Sequence, residues 1–296
     1  MANRIQDTAG DRMFYRVNAI LLMLLTLSVL YPIIYVLANS FSSPAAVSSG
    51  KVYLWPLDPS VEGYRRVLEN PNILSGFLNS VFYTVVGTAI NLAMTMIAAY
   101  PMARKDLPLR SFFSVLFAFT MLFGGGMIPN YILIMKLGML NTRWALLLPG
   151  ALSVYNMIIA RTAMQSLPDE LLEAAYIDGC SDARYFVRIV LPLSGATIAV
   201  LALYYAVGHW NSYFSAFMYL SDRSKYPLQI VLREILIMGQ IAESDITDLD
   251  SAERIQGLSQ LLKYALIVIS SAPMMLIYPF VQKYFVKGVM IGSLKG

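Results

Sequence analysis

The chain has 296 residues, of which 57% are hydrophobic and 14% are charged, whereas an ordinary globular domain carries roughly 25% charged residues. This composition excludes a disordered chain, a collagen and a coiled coil, and it argues against a soluble protein. A single cysteine, Cys180, and a single histidine, His209, are too few for a disulfide framework or a metal cluster. A net charge of +4 on so apolar a chain favours lipid headgroups rather than nucleic acid as neighbours. The sequence therefore predicts an integral membrane protein.

Six intervals without Asp, Glu, Lys or Arg are long enough for a transmembrane helix, which needs about 20 apolar residues. We therefore predict an all-α fold with six transmembrane helices. The predicted spans are residues 17–39, 76–101, 112–135, 144–165, 194–220 and 263–285. No small-residue cleavage site follows the first span, so we interpret it as a retained span rather than a signal peptide.

The short connection between the second and third spans contains Arg104, Lys105 and Arg110. Basic residues in short loops tend to stay on the cytoplasmic side. We therefore expect both termini to be cytoplasmic, because six spans return the chain to its starting side. The two longest connections, residues 40–75 and 222–262, are then extracytoplasmic.

The connection between the fourth and fifth spans is predicted to form a helix, a turn and a second helix. Ser166 and Asp169 form a capping signature at its start. Gly179 is suited to end the first helix, since a positive φ costs glycine little, and the second helix is expected from Ser181 to Pro192. The first helix has an apolar stripe at helical spacing, formed by Leu167, Leu171, Leu172 and Ala175.

This connection resembles the EAA motif of permease subunits of binding-protein-dependent ABC importers. The residues that match the motif are Glu173, Ala174, Ala175, Gly179, Ile189, Leu191 and Pro192. The resemblance implies a type I ABC importer transmembrane domain in which this cytoplasmic elbow is a coupling helix that docks on a separate ATPase subunit. Arg184 and Arg188 lie four residues apart on one helix face and contact either the ATPase or solvent and headgroups.

Further stretches are similar to the sugar-transporting, MalG-like branch of these permeases, and in particular to those members that import oligosaccharides. They are residues 124–129, 137–142, 210–214, 226–229 and 292–296. In that branch the C-terminal tail reaches the ATPase interface, which makes Leu294, Lys295 and Gly296 candidates for a second ATPase contact; a frayed terminus is the alternative. The resemblance implies an oligosaccharide as solute, either neutral or acidic like an alginate fragment.

The resemblance also implies a domain organisation and a set of partners. Residues 1–74 would hold the N-terminal cytoplasmic segment, the first span and an extracytoplasmic loop. Residues 75–287 would form the permease domain with five spans and the EAA loop 166–192, followed by a cytoplasmic tail at 288–296. The partners would be a second homologous permease, two copies of an ABC ATPase, an extracytoplasmic solute-binding protein and the lipid of a bacterial inner membrane.

No phosphate-binding loop of the form G-x-x-x-x-G-K-[ST] occurs in the sequence. We therefore expect no cofactor in this chain and a non-catalytic role, with ATP and magnesium bound by the partner ATPase. The alternative is an ion-coupled secondary carrier, which usually has charged residues inside the membrane and internal repeats. The predicted span cores contain no carboxylate and the two halves show no self-similarity, which disfavours that alternative.

Polar and aromatic side chains in the second and fifth spans are candidates for the solute pathway. Sugar sites commonly combine aromatic faces with hydrogen bonds from amides and hydroxyls, but contacts between helices use the same residue types. The candidates are Asn79, Thr84, Asn91, Tyr205, Trp210, Asn211 and Tyr213. His209 is expected to make a polar contact between helices, and Gly124 to Gly126 to permit either a bend or a close helix contact in the third span.

Overall fold

The computed structural model describes residues 8–244 and 249–293, which form helices and connecting segments but no strand. The helices of the first part of the chain are α1 (Ala9–Ser40), α2 (Pro44–Ser48), α3 (Glu62–Glu69), α4 (Pro71–Ala103), α5 (Arg110–Leu122), α6 (Met127–Lys136), α7 (Trp144–Leu147) and α8 (Val154–Gln165). Those that follow are α9 (Glu170–Ile177), α10 (Asp182–Tyr185), α11 (Leu191–Leu193), α12 (Gly195–Trp210), α13 (Phe214–Tyr219), α14 (Leu228–Ser244) and α15 (Leu249–Ser293). A π-helical turn, Phe186–Val190, joins α10 to α11, and a 3-10 turn, Arg223–Lys225, precedes α14.

Three helices in the described part of the chain are long and apolar enough to cross a membrane. Their apolar segments are Gly10–Ser40 in α1, Pro71–Ala103 in α4 and Gly257–Phe280 in α15. The predicted first and second spans lie inside α1 and α4, and α15 contains the predicted sixth span. Two further pairs of helices would each count as a span only if a sharp bend is allowed within it.

The third, fourth and fifth predicted spans are interrupted in the structure and are not single continuous helices. Helices α5 and α6 meet at 108°, and residues 211–213 separate α12 from α13. The segment Asp182–Leu193, which precedes the predicted fifth span, meets α12 at 79°. The glycines that predicted a bend lie between α5 and α6, where Gly126 has a φ of 84°. In the fourth span, Pro149 and Gly150 separate the 4-residue α7 from the 12-residue α8, because proline cannot donate a backbone hydrogen bond.

One compact unit comprises residues 8–70, 235–244 and 249–271 of the described chain. Its helix α1 begins with a capping box between Thr8 and Asp11. Every residue from Gly10 to Ile34 is exposed, and so large an apolar surface needs lipid or another protein. Gly63 of α3 packs directly on α15: a Cβ atom there would lie 2.9 Å from Cγ of Leu261.

The second compact unit comprises residues 71–234 and 272–293. Helix α4 is its centre and packs against α8 and α12. The buried core of this unit includes Ala99 of α4, Ala160 of α8 and Leu201 of α12. Ala175 of α9 and Tyr185 of α10 belong to the same core, so the connection between the fourth and fifth spans is fixed to the helices of the unit.

Candidate functional site

The elbow, defined here as residues 166–193, begins differently from the prediction. Ser166 does not cap the first elbow helix. It lies at the C-terminal end of α8, where its hydroxyl donates to the carbonyl of Ala163 at 2.7 Å. Helix α9 starts at Glu170, after Asp169, and no side chain caps its first turn. Because α8 extends to Gln165, Ser166 serves as its C-terminal cap and is not available to cap α9, which begins a few residues later.

The turn of the elbow follows the prediction at Gly179. This glycine has a φ of +71°, a backbone conformation that residues with a Cβ atom rarely adopt. Its amide donates to the carbonyl of Tyr176 at 3.0 Å, and the amide of Cys180 donates to Ala175 at 2.9 Å. The second half of the elbow then runs through α10, the π-helical turn and α11, and it ends at Leu193, one residue beyond Pro192.

The two alanines of the motif lie on different faces of α9. Ala175 is buried in the core, whereas Glu173 and Ala174 are exposed. Ile177, on the exposed side, is 87% exposed although it is a large apolar residue. Ile177 was not among the predicted site residues, yet its sequence signal is that of an apolar residue outside the apolar stripe of an amphipathic helix. The outer face of α9 therefore combines a carboxylate, a small residue and an uncovered apolar side chain.

The rest of the predicted coupling residues lie along the second half of the elbow. Arg184, Arg188 and Pro192 are exposed, and Ile189 and Leu191 are half-buried against the core. The candidates Leu294, Lys295 and Gly296 lie outside the described residues. The motif residues of α9 and the two arginines therefore all lie on the short helices of the elbow.

Arg104, just after α4, ties the elbow to the centre of the unit. It donates to both carboxylate oxygens of Asp106 at 2.8 and 2.6 Å, to Asp182 at 2.9 Å and to the hydroxyl of Tyr176 at 2.8 Å. The hydrogen bond from Arg104 lowers the pKa of Asp106, and the same bond raises the pKa of Arg104. Both groups therefore stay charged at neutral pH, and α9 and α10 are both joined to the end of α4.

A cavity of about 580 Å³ lies between the end of α4 and the elbow. Its wall contains the paired Arg104 and Asp106 and the paired Lys105 and Asp169. Glu173 also lines it. The inner side of the elbow is therefore charged, and Glu173 lies at its border with the outer side, where Ala174 and Ile177 are exposed.

A buried polar network joins α4, α12 and the break before α8. Asn91 donates to the carbonyl of Gly150, and its amide oxygen is 2.6 Å from Nε2 of His209. The hydroxyl of Tyr205 is 2.6 Å from that of Thr95. The network satisfies a backbone carbonyl at the break of the fourth predicted span, which would otherwise lack a helical partner. His209 makes the polar contact between helices that the sequence predicts.

The other predicted pathway residues divide into buried and accessible positions. Asn79 is buried and donates to the carbonyls of Ser224 and Tyr226 at 2.7 and 3.1 Å. Thr84 is buried, and Trp210 is buried with its ring 5.6 Å from that of Phe77 in an edge-to-face arrangement. Asn211 is exposed and Tyr213 is half-buried, with the guanidinium of Arg233 4.6 Å from its ring centre. Only these last two present surface that a solute could reach.

The segment after α13 is held against α4 and the 139–143 turn. Asn141, with a φ of 56°, accepts hydrogen bonds from the amides of Ser221 and Asp222 at 3.2 and 3.0 Å. Hydrogen bonds from Ser224, and then from Lys225, lower the pKa of Asp222 to about 2. This segment is therefore a fixed, charged turn in the connection that the sequence predicts to be extracytoplasmic.

The comparisons with known proteins agree with the resemblance. Residues 1–291 match the family described as binding-protein-dependent transport system inner membrane component. The chain is 40% identical to protein LplC of Bacillus subtilis strain 168, over 99% of this chain and 98% of LplC. It is 41% identical to YtcP of the same organism, the polygalacturonan/rhamnogalacturonan transport system permease protein, over 93% of this chain and 96% of YtcP.

A solved structure is also similar. It belongs to a bacterial ABC transporter involved in the import of the acidic polysaccharide alginate, with a TM-score of 0.85 and 34% identity over 95% of this chain and 99% of the other. Together, the family match and the relatives show that this chain belongs to the binding-protein-dependent transport system inner membrane components, the non-catalytic membrane permeases of ABC importers.

Proposed function

We propose that the elbow is the coupling helix of this permease and that its outer face docks on an ABC ATPase. The observation that carries the proposal is the outer face of α9, where Ile177 is 87% exposed beside exposed Glu173 and Ala174. An apolar side chain in that position costs free energy in water and gains it at an interface. Arg104 joins the elbow to α4, so a force on α9 would reach the centre of the second unit.

The proposed assembly contains a second permease of the same family, two ATPase subunits that bind ATP and magnesium, and an extracytoplasmic solute-binding protein. The chain crosses the membrane six times, with the bent pair α5 and α6 as the third crossing, α12 and α13 as the fifth, and both termini in the cytoplasm. Residues 1–74, 75–287 and 288–296 remain our proposed division into an N-terminal part, a permease domain and a tail. ATP binding would close the ATPases and move the elbow as a rigid body. This movement would open the solute pathway alternately to the two sides of the membrane.

We propose an acidic oligosaccharide as the solute. One relative is named for polygalacturonan and rhamnogalacturonan transport and the solved structure for import of alginate; galacturonate units, like alginate units, carry a carboxylate. Within this chain, the exposed Arg233 lies over the rings of Tyr213 and Phe217, at 4.6 and 5.4 Å from their centres. An arginine beside aromatic rings can bind a sugar carboxylate while a ring packs against the sugar face. We keep Asn211 and Tyr213 as pathway candidates and assign the buried candidates to contacts between helices.

Replacement of Ile177 with Glu tests the docking face. The tagged importer is extracted in mild detergent, and the copurifying chains are identified and quantified. We expect wild type to bring down an ATPase, a second permease and a binding protein, and Ile177→Glu to lose most of the ATPase. Leu68→Glu is the matched control, because Leu68 is 66% exposed on α3 and is not part of the elbow. Equal ATPase recovery with Ile177→Glu and wild type would refute the docking face.

Uptake of a labelled oligogalacturonate tests the solute class. Unlabelled oligogalacturonate should compete with it, whereas a neutral oligosaccharide of the same length should not. Arg233→Gln should lower oligogalacturonate uptake while Ile177-dependent ATPase binding is kept. Competition by the neutral sugar at equal concentration would show that the carboxylate is not recognised.

A further inference from the structure

Two arginines with no carboxylate partner meet at the N-terminal end of α5. Arg110 is the first residue of α5, and Arg161 lies on the adjacent helix α8. The amide of Gln165 satisfies its hydrogen bonds only with its oxygen turned to both groups, where it accepts from Nη2 of Arg110 and from Nε of Arg161 at 3.3 Å. The neutral amide oxygen of Gln165 therefore accepts hydrogen bonds from two positively charged guanidinium groups.

The other contacts of the two arginines are neutral as well. Arg110 Nε donates to the carbonyl of Met102 at 3.2 Å, and Arg161 Nη1 donates to the hydroxyl of Ser114 at 3.3 Å. Within residues 8–244 and 249–293, neither arginine forms a salt bridge, whereas Arg104 and Lys105 nearby are both paired with carboxylates. Two half-buried guanidinium groups in this arrangement repel each other unless an anion lies between them.

The start of α5 adds to the positive charge. Leu109 precedes the helix with a φ of 57°, and no side chain accepts a hydrogen bond from the first turn. The free amides of a helix N-terminus favour an anion and disfavour a cation such as Arg110. Arg110 and Gln165 also line the cavity of about 580 Å³ beside the elbow, which leaves room for a group of the size of a phosphate.

The surface that continues from this point is apolar. No residue of α5 is buried. Its large exposed side chains include Phe112 at 59%, Val115 at 66% and Phe119 at 55% exposure. A phosphate at the arginines with hydrocarbon along these side chains is the arrangement of a membrane phospholipid, and basic pockets between membrane helices bind anionic headgroups.

We propose that Arg110, Arg161 and the N-terminus of α5 bind the phosphate of an anionic phospholipid, whose acyl chains lie along α5. The lipid phosphate offsets the repulsion between the two arginines and joins α5 to α8 beside the elbow. Arginine suits this role because its planar group can donate two hydrogen bonds to one phosphate. The site is separate from the proposed ATPase-docking face, which lies on the outer side of α9.

Native mass spectrometry of the purified importer, titrated with phosphatidylglycerol or phosphatidylcholine, tests the site. We expect a tightly retained phosphatidylglycerol on wild type, and retention weaker by roughly thirtyfold in Arg110→Gln/Arg161→Gln, from the loss of two arginine contacts to an anionic headgroup. Arg65→Gln/Arg66→Gln is the control, because it removes the same charge from exposed positions on α3, outside the elbow.

Three results would overturn the proposal. They are equal retention of the two lipids by wild type, equal retention by the Arg110→Gln/Arg161→Gln variant and wild type, and displacement of the lipid by inorganic phosphate, which would indicate a site for free phosphate. If the double glutamine variant does not fold, the comparison of the two lipids on wild type decides the question by itself. Arg110→Lys/Arg161→Lys should keep the preference for phosphatidylglycerol, since it preserves both charges.

Discussion

At Gly87, helix α4 packs directly on the imidazole of His209 of α12. A Cβ atom on Gly87 would overlap the imidazole of His209, with Cδ2 at 2.8 Å and Nε2 nearer still. The imidazole cannot simply move away, because its Nε2 is hydrogen-bonded to Asn91 at 2.6 Å. Asn91 in turn donates to the carbonyl of Gly150. The absence of a side chain at position 87 therefore allows the network that connects three parts of the second unit.

We predict that Gly87→Ala destabilises the protein by about 1–3 kcal/mol, the usual cost of forcing extra volume into a packed contact. Thermal unfolding of the detergent-solubilised protein measures the effect. Gly208→Ala is the matched control, because nothing lies within 4 Å of a Cβ atom there and alanine favours a helix. In a His209→Ala background the added methyl group should cost much less. Additive effects of the two changes would mean that residues 87 and 209 are not in contact.

The elbow is an element that depends on one half-buried arginine. The side chain of Arg104 is only 15% exposed and reaches α9 through Tyr176 and α10 through Asp182. The neighbouring Lys105 pairs with Asp169, but their side chains are 78% and 64% exposed. Hydrogen bonds of a charged group shielded from water contribute more than an exposed ion pair. Arg104 is therefore the contact that we expect to transmit movement between the elbow and α4.

We predict that Arg104→Gln destabilises the protein by about 1–3 kcal/mol and lowers ATP-driven uptake in proteoliposomes more than it lowers ATP hydrolysis. Lys105→Gln should change stability by less than about 1 kcal/mol and leave the ratio of uptake to hydrolysis near that of wild type. The ratio is the informative measurement, because a general loss of folded protein would lower both rates equally. An unchanged ratio in Arg104→Gln would exclude a role for Arg104 in coupling.

The sequence correctly predicted those features of the helices that are determined locally by one residue type, such as a glycine at a turn or a bend. Gly179 was identified from glycine's freedom to adopt a positive φ, which it has, and Gly124 to Gly126 were identified as the place of a bend in the third span, where Gly126 also has a positive φ. The fourth span was predicted as one helix because hydropathy counts apolar residues and does not register where the backbone is broken. The break at Pro149 and Gly150 is compensated by Asn91, which is distant in sequence. Such a tertiary contact cannot be deduced from a local pattern.

The candidate site shows the same limit. The motif residues Glu173 to Gly179 could be named from the sequence, because their spacing is specific. The apolar stripe predicted the buried side of α9, because Leu167, Leu172 and Ala175 belong to the core, but it could not show which residues of other helices, such as Met164 and Tyr185, complete that core. The arginine pair of α5 and α8 was also invisible, since Arg110 and Arg161 meet only after the chain folds. In the sequence, nothing distinguishes these two arginines from other basic residues near the ends of helices.

For the whole molecule, the arrangement of bent and broken helices must be reconciled with a membrane. A lipid bilayer does not satisfy free backbone groups, so irregular backbone at membrane depth must be buried in protein or face water. The break at residues 148–153 and the bend at 123–126 are such places. We expect the second permease or the solute pathway to cover them. This expectation requires that the bent pair α5 and α6, the broken segment α7 and α8, and helix α12 each cross the membrane once.

The single cysteine makes this topology measurable. In a Cys180→Ala background, single cysteines are placed at exposed positions on successive connections: Trp55, Lys105, Leu137, Ser181 and Ser221. A membrane-impermeant maleimide is then applied to intact spheroplasts and to permeabilised ones. We predict that positions 55, 137 and 221 react from the outside, and that positions 105 and 181 react only after permeabilisation. Unmodified Cys180→Ala protein controls for background labelling.

Each pair of positions tests one uncertain crossing. Positions 105 and 137 lie on either side of the bent pair α5 and α6, positions 137 and 181 on either side of the broken segment, and positions 181 and 221 on either side of α12. If 105 and 137 react from the same side, α5 and α6 form a re-entrant loop and the six-crossing topology fails. If 181 reacts from the outside, the elbow cannot meet a cytoplasmic ATPase, and the coupling role proposed for α9 fails with it.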